Sequence, residues 1–492
     1  MFSLSLRRST ALGGVGMAAV LCAASASALP PHASRTASAA ALAPAAPAAQ
    51  TGEVPRFTVV THRPGTSPGL LFATPQSARD SGAVHGPQIL DDRGRVVWFR
   101  PLPAGQFATD LRVQRYRGKP VLTWWQGTSS NTGIGKGVGY IADSSYRVIA
   151  TVRPDGDYAP DLHEFALTEK GTALVTSYRT VPYDLTPVGG PKDGQAVDSV
   201  VEEIDVATGR RIMRWSSLQH VPITESDMPV ELTHGAPYDY FHVNSVAVDD
   251  DGDLLVSGRT TSTVYKVDRQ TGAVLWRLGG RHSSFRLGAG ARFNWQHDAM
   301  PEGRGTYRIF DNGSVAGSPG WESRVVRVRV DARRRTATYL GQVTHPVLQS
   351  VENEGGSQRT PGGGTLVSWG SSSRISEFAK SGRLLFDATL PAGWSSYRVY
   401  RSRWSAEPAA PPAVSVGPDG ALHASWNGAT GVARWRVLGG DAPTALKPVA
   451  EAAWQGLDTA VRLDPLPRFV KVEALDAHGT SMGSSTAVPT DS

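Results

Sequence analysis

The chain has 492 residues, 40% hydrophobic and 19% charged, the balance of a globular protein and not of a disordered or membrane-embedded one. Its formal charge of +6 is small for this length, and no basic stripe interleaved with aromatics runs through it, which argues against a nucleic-acid partner. The mild positive bias instead favours small anions.

Residues 1–30 read as an export signal. Arg7-Arg8 precede an apolar, small-residue run from Ala11 to Ala28 that ends in Ala-Ser-Ala cleavage patterns. The run is short and broken by glycine and serine, so cleavage is expected and not a stable membrane span, giving a secreted or cell-envelope protein. The single cysteine, Cys22, lies inside this leader, so the mature chain has no disulfide, thiolate metal site or cysteine nucleophile. Residues 31–54 are rich in Ala, Pro and Ser and read as a linker.

A repeat fills residues 55–404. Six hairpins share β-rich runs around a tight turn, at 88–100, 140–152, 201–216, 264–277, 325–340 and 375–387. A second hairpin precedes each of the last five, turning at Gly118, Gly171, Gly252, Gly305 and Gly363. The segment 57–74 is expected to supply the corresponding pair for the first. Six units of four strands predict an all-β fold, a six-bladed β-propeller, with the strand at Tyr397–Tyr400 returning to the first unit to close the ring. Residues 405–492 follow as a Pro/Ala linker and a small β-sandwich of immunoglobulin or fibronectin type, with strands near 413, 422, 433, 460 and 469.

The hairpin register selects candidate functional residues. His163, His242 and His297 lie 8, 10 and 8 residues before Gly171, Gly252 and Gly305, so each begins an inner strand. Reflection across each turn pairs them with Tyr178, Arg259 and Asn312, and Asn244 shares the side of His242 by the period of two. The same phase holds Asp110 and Trp125 one unit earlier, and Glu354 and Gly370 one unit later. A single histidine at a strand start is ordinarily structural; three in one phase point to a site at one mouth of the channel. Three imidazoles are a possible zinc or copper set, but Arg259 among them opposes a cation and no carboxylate falls in the same triplet. An arginine beside neutral imidazoles suits sulfate or phosphate oxygens, and neither metal nor cofactor is expected. The acidic run Asp249–Asp253 reads as a hairpin turn, not a calcium loop. The stretch 216–240 is a long insertion placed to cover the channel mouth.

At these residues the chain resembles the arylsulfotransferase family of exported bacterial enzymes. The matching pieces are Asp161–Phe165, Tyr240–Ser245, Leu254–Arg259, Leu275–Gly280, Phe293–Asp298 and Ile309–Ser314. The resemblance implies PAPS-independent sulfuryl transfer from a phenolic sulfate ester to a phenol. It implies a nucleophile at His297 that becomes transiently sulfated, and a sulfate pocket of His163, His242, Asn244 and Arg259. Tyr178 and Asn312 complete the substrate-binding set, His297 and His163 the catalytic pair. Domain order departs from the family's best-known members, whose small β-domain precedes the propeller. Two other readings remain: an aryl sulfate or phosphate ester hydrolase, and a non-catalytic propeller binding anions or carbohydrate. Product analysis with and without a phenol separates the first; binding without turnover marks the second.

Overall fold

The computed structural model describes residues 54–77, 84–130, 133–154, 156, 158–314, 322–348 and 350–490. The expected leader at 1–30 and the linker 31–54, except Val54, lie outside the described residues.

Strands dominate, and the helical pieces are single turns such as Ser217–His220. Six antiparallel sheets follow one another. Sheet II is Phe107–Tyr116, Lys119–Ser129, Gly135–Ala142 and Val148–Val152; sheet III is Phe165–Leu167, Thr172–Tyr183, Gly194–Asp205 and Arg211–Ser216. Sheet IV is Val243–Val248, Leu254–Gly258, Thr263–Val267 and Val274–Gly279. Sheet V is His297–Gly303, Thr306–Asp311, Arg324–Asp331 and Thr336–Val343, with Arg286–Leu287 added in parallel. All six sequence-predicted hairpins and all five glycine turns are present, and each turn glycine has a positive φ.

Sheets VI and I are built from both ends of this region. Sheet VI is Gly356–Arg359, Thr365–Ser368, Arg374–Phe378 and Leu384–Thr389, and Thr58–His62 adds to its outer edge. Sheet I takes its inner strand, Trp394–Ser402, from the far end of the chain, followed by Leu70–Ser77, Gln88–Leu90 and Val96–Phe99. Tyr397 therefore does return to the first unit. The expectation that 57–74 forms the first unit's own hairpin needs correction: its two strands go to different sheets. Gly69 permits the close approach, because a Cβ there would sit 2.7 Å from the Ser402 carbonyl oxygen at φ +126°. Both edges that a linear array would leave open are thereby hydrogen-bonded.

Packing closes the same circuit. One hydrophobic cluster lies between each neighbouring pair: Trp98 and Trp124 between I and II, Ile141 and Phe165 between II and III, Leu174 and Val246 between III and IV. Leu255 and Ile309 join IV to V, Phe310 and Trp369 join V to VI, and Phe386 and Leu71 join VI to I. Successive residues on one strand feed opposite clusters, as Leu71 and Phe72 do. Runs such as Ala173-Leu174-Val175 are accordingly apolar throughout, since both faces are buried. Each such Leu or Phe contributes about 1.5–3 kcal/mol by burial. The arrangement is all-β and propeller-like.

Residues 413–489 form two further sheets around one core of Leu422, Ala424, Trp435, Val437, Val470 and Val472. The five expected strands are present; Lys447–Ala453, Ser481–Ser484 and Val488–Pro489 were not expected, being poor in alternating apolar residues. This unit sits on the outer edge of sheet I. Asn427 pairs with both backbone groups of Phe99, at 3.0 and 2.8 Å, as a strand would, and Arg95 lies over Trp454 at 4.6 Å.

Candidate functional site

The inner strands run in one direction, so their first residues gather at one end of the axis. Left-handed non-glycine residues mark that end: Asp110, His242, Asp298 and Glu354 have φ between 50° and 61°. Each such residue costs on the order of 1 kcal/mol or more. At three of them the ladder slips, between Thr109 and Arg112, Val243 and Ser245, and His297 and Met300. Hydrogen bonds to the next sheet hold the strained turns: Phe165 N–H donates to Asp110 (3.1 Å) and Ser357 N–H to Asp298 (2.7 Å).

The three histidines meet there, each less than 10% exposed. The His163 and His242 rings are 4.9 Å apart and nearly perpendicular, with Tyr178 5.8 Å from each. Tyr397 lies 5.5 Å from His163 and 6.3 Å from His297 and links them across the axis. The register pairings hold in outline: His242 O accepts from Arg259 N–H at 3.0 Å, and His297 meets Asn312 by side chain. Tyr178 donates its hydroxyl to the Val243 carbonyl. Trp125, in phase by sequence, is fully buried and donates to Pro160 O at 2.7 Å, so it packs beneath the site.

Each imidazole is oriented through Nδ1. His163 Nδ1 faces Asp161, and His242 Nδ1 lies 2.5 Å from Asp239. The sequence phase put no carboxylate within the histidines' own three units; these two precede the histidines by two and three residues, outside the strand register. Asp239 arrives on the 216–240 insertion, which is packed into the III–IV core through Val221, Ile223 and Tyr238. His297 Nδ1 is 2.7 Å from Asn312 Oδ1. The Asn312 amide cannot be turned over, because its Nδ2 donates to the carbonyls of Val351 (2.9 Å) and Glu354 (3.1 Å). Nδ1 of His297 therefore carries the proton and Nε2 the lone pair. No hydrogen bond among the described residues engages that Nε2. Burial, reinforced by the charge of Arg259, holds the His297 imidazole well below the usual histidine range, with Asn312 acting in the opposite sense. Burial also lowers His163, against the pull of Asp161.

Arg259 lies 4.1 Å above the Trp295 ring, and its one side-chain hydrogen bond among the described residues goes to the Glu352 carbonyl, at 3.5 Å. Burial lowers it to about 10, still cationic at neutral pH. Arg259 Nε and Trp295 Nε1 are buried donors without acceptors among the described residues, which marks a place for an anion. Asn244 donates to Gln296 O at 2.7 Å, leaving its Oδ1 unpartnered.

Directly below lies a second polar layer. Arg398, 1% exposed, reaches Asp110 (3.3 Å), Glu164 (3.1 Å), Asp298 (3.6 Å) and the Asn244 carbonyl (3.0 Å). Arg112 pairs with Asp110 and Glu164 at 3.0 and 2.6 Å. One side chain from sheet I thus ties sheets II, III, IV and V together at the axis. Tyr397, Arg398, Trp295 and the two orienting aspartates escaped sequence reasoning. Only Asp161 and Asp239 had a signal, their closeness in sequence to the selected histidines.

A family model described as Arylsulfotransferase (ASST) matches residues 112–390. No curated protein matches. Among solved structures, a Bacteroides caccae protein of unknown function is 11% identical, with 68% of this chain and 98% of that one covered and a TM-score of 0.41. A putative 6-phosphogluconolactonase from Bacteroides uniformis is 12% identical, with 80% and 99% covered and a TM-score of 0.37. A catalytically inactive virginiamycin B lyase from Staphylococcus aureus, with quinupristin, is 10% identical, with 68% and 86% covered and a TM-score of 0.27.

Proposed function

Because the chain belongs to the arylsulfotransferase family, we propose that it moves a sulfuryl group from a phenolic sulfate ester to a phenol through a sulfated His297, without PAPS. The observation that carries this reading is the Asn312 lock, which leaves a lone pair on an unengaged His297 Nε2 amid buried, unpaired donors. We take the six sheets as the blades of one propeller spanning 55–404, and the two C-terminal sheets as a sandwich within 405–492.

In the first half-reaction His297 Nε2 attacks sulfur and the S–O bond to the aryl group breaks. The departing oxygen takes a proton from His163, whose cationic form Asp161 supports. In the second, the acceptor phenol gives its proton to His163 Nε2 as its oxygen attacks sulfur, and the N–S bond breaks. Arg259, His242 and the free Asn244 amide hydrogen bind the sulfuryl oxygens as charge shifts during flight. Asn312 positions the nucleophile. Tyr178 forms part of the wall against the donor ring.

The test is incubation with 4-nitrophenyl sulfate, with and without phenol, followed by intact-mass analysis. The reading expects phenyl sulfate formed only with acceptor present, and a protein adduct of one SO3 that is lost in His297→Ala. Nitrophenol release at the same rate without phenol, with free sulfate, would make the protein a hydrolase. No turnover of any aryl ester would leave a binding propeller.

A further inference from the structure

The axis has another end. Past the Arg398 layer, the last residues of three neighbouring inner strands, Phe107–Tyr116, Gly356–Arg359 and Trp394–Ser402, wall a cavity of about 670 Å3. A volume of this size suits a small molecule. Arg115, Arg359 and Arg403 line it, all exposed, and no Asp or Glu is among its lining residues. Arg401, also in the wall, is already matched by Asp92 and by Glu377 at 3.2 Å. None of the other three meets a carboxylate among the described residues. Among the described residues the Arg115 side chain donates only to the Gly118 carbonyl, at 3.0 Å, and the side chains of Arg359 and Arg403 form no hydrogen bond or ion pair.

Exposed arginines elsewhere divide: Arg93, Arg304 and Arg383 form no ion pair among the described residues, whereas others are matched. Arg147, Arg281, Arg334 and Arg462 are all more than half exposed, and each meets an aspartate within 3.2 Å. Three uncompensated guanidiniums around one cavity repel one another until an anion enters, and their planar forks match oxyanions. The backing is fixed, because the Gln358 amide pairs with both backbone groups of Arg401, at 2.9 and 2.8 Å.

We propose that this far mouth is a second anion site, taking a small molecule that carries sulfate or phosphate groups, and that it works independently of the histidine layer. The sealed Arg398 layer lies between the two. On sheet VI the inner strand Gly356–Arg359 runs from the histidine side to the cavity, its ends three residues and about 10 Å apart at ~3.3 Å per residue.

Calorimetric titration of the full chain with inorganic pyrophosphate tests the assignment. Wild type and His297→Ala are expected to bind equally, more weakly as salt rises. The Arg359→Ala/Arg403→Ala double variant is expected to bind at least about tenfold more weakly, with an unchanged melting temperature and unchanged aryl sulfate turnover. Should that variant misfold, Arg115→Gln/Arg403→Gln makes the same comparison. Parallel titrations with inorganic sulfate and 4-nitrophenyl sulfate tell free oxyanion from one borne on an aromatic. No binding by wild type, equal affinity in the arginine variants, or loss of binding in His297→Ala would overturn the proposal.

Discussion

Two polar layers lie stacked on the same axis, and they differ in how their charges are settled. In the lower one, Asp110, Glu164 and Asp298 each meet a guanidinium, Arg398 reaches four sheets besides its own, and nothing is exposed beyond a few per cent except Arg112. In the upper one, among the described residues Arg259 has no salt bridge, Trp295 Nε1 has no acceptor, and no hydrogen bond engages the Nε2 atoms of the three imidazoles. Both layers are buried and polar. Both also hold a guanidinium Nε without a hydrogen-bond partner among the described residues, so the difference lies in ion pairing: matched charge holds a fold together, and an unpaired guanidinium waits for an anion.

The comparison breaks most sharply at its two central residues. His297→Ala is expected to lower sulfuryl transfer by at least roughly 10⁴-fold while leaving the denaturation midpoint within error, as for removal of a nucleophile. If activity survives, the upper layer is not catalytic. Arg398→Met is expected to do the reverse in kind. It leaves buried Asp298 without a guanidinium, takes one of two from Asp110 and Glu164, and costs about 3–5 kcal/mol, read as a lowered midpoint in urea. Equal stability would show that the lower layer does not hold the ring.

Asn312→Ala frees the His297 ring and its tautomer, and kcat is expected to fall roughly 100-fold with KM little changed. His163→Ala should hurt phenyl sulfate more than 4-nitrophenyl sulfate, by roughly tenfold in relative kcat/KM, because the poorer leaving group needs the proton. An equal loss on both donors removes His163 from the acid role.

The smallest effect concerns Glu354. Burial pushes its carboxyl up to about 7, from an ordinary value near 4.5. The unfolded chain releases this proton first, so the group takes away stability as pH rises from about 4.5 to about 7. Glu354→Gln should flatten that part of a melting-temperature profile and gain most at pH 8. His297 tilts the profile oppositely: its depressed imidazole takes away stability as pH falls below about 6.5, while keeping the ring neutral there.

Much of this was legible in sequence because propeller units repeat a local device. Hairpin turns with glycine at 118, 171, 252, 305 and 363 gave the register, and register put His163, His242 and His297 in phase. Contacts with no such local rule stayed hidden. Tyr397 and Arg398 reach the axis only through closure by a strand more than 300 residues from its partner at Leu70–Ser77. Asp239 is delivered by an insertion that has no counterpart in the other units, and left-handed turns at Asp110, His242, Asp298 and Glu354 shift the simple two-residue count.

That late-arriving strand also sets a clock. A ribosome must have released residue 402 before Tyr397 and Arg398 exist to join the rings of sheets III and V. Five of the six sheets can pair locally without it, yet no incomplete chain possesses the assembled centre. Any chemistry the centre performs is withheld from the nascent polypeptide by topology alone, with no inhibitor or pro-segment required.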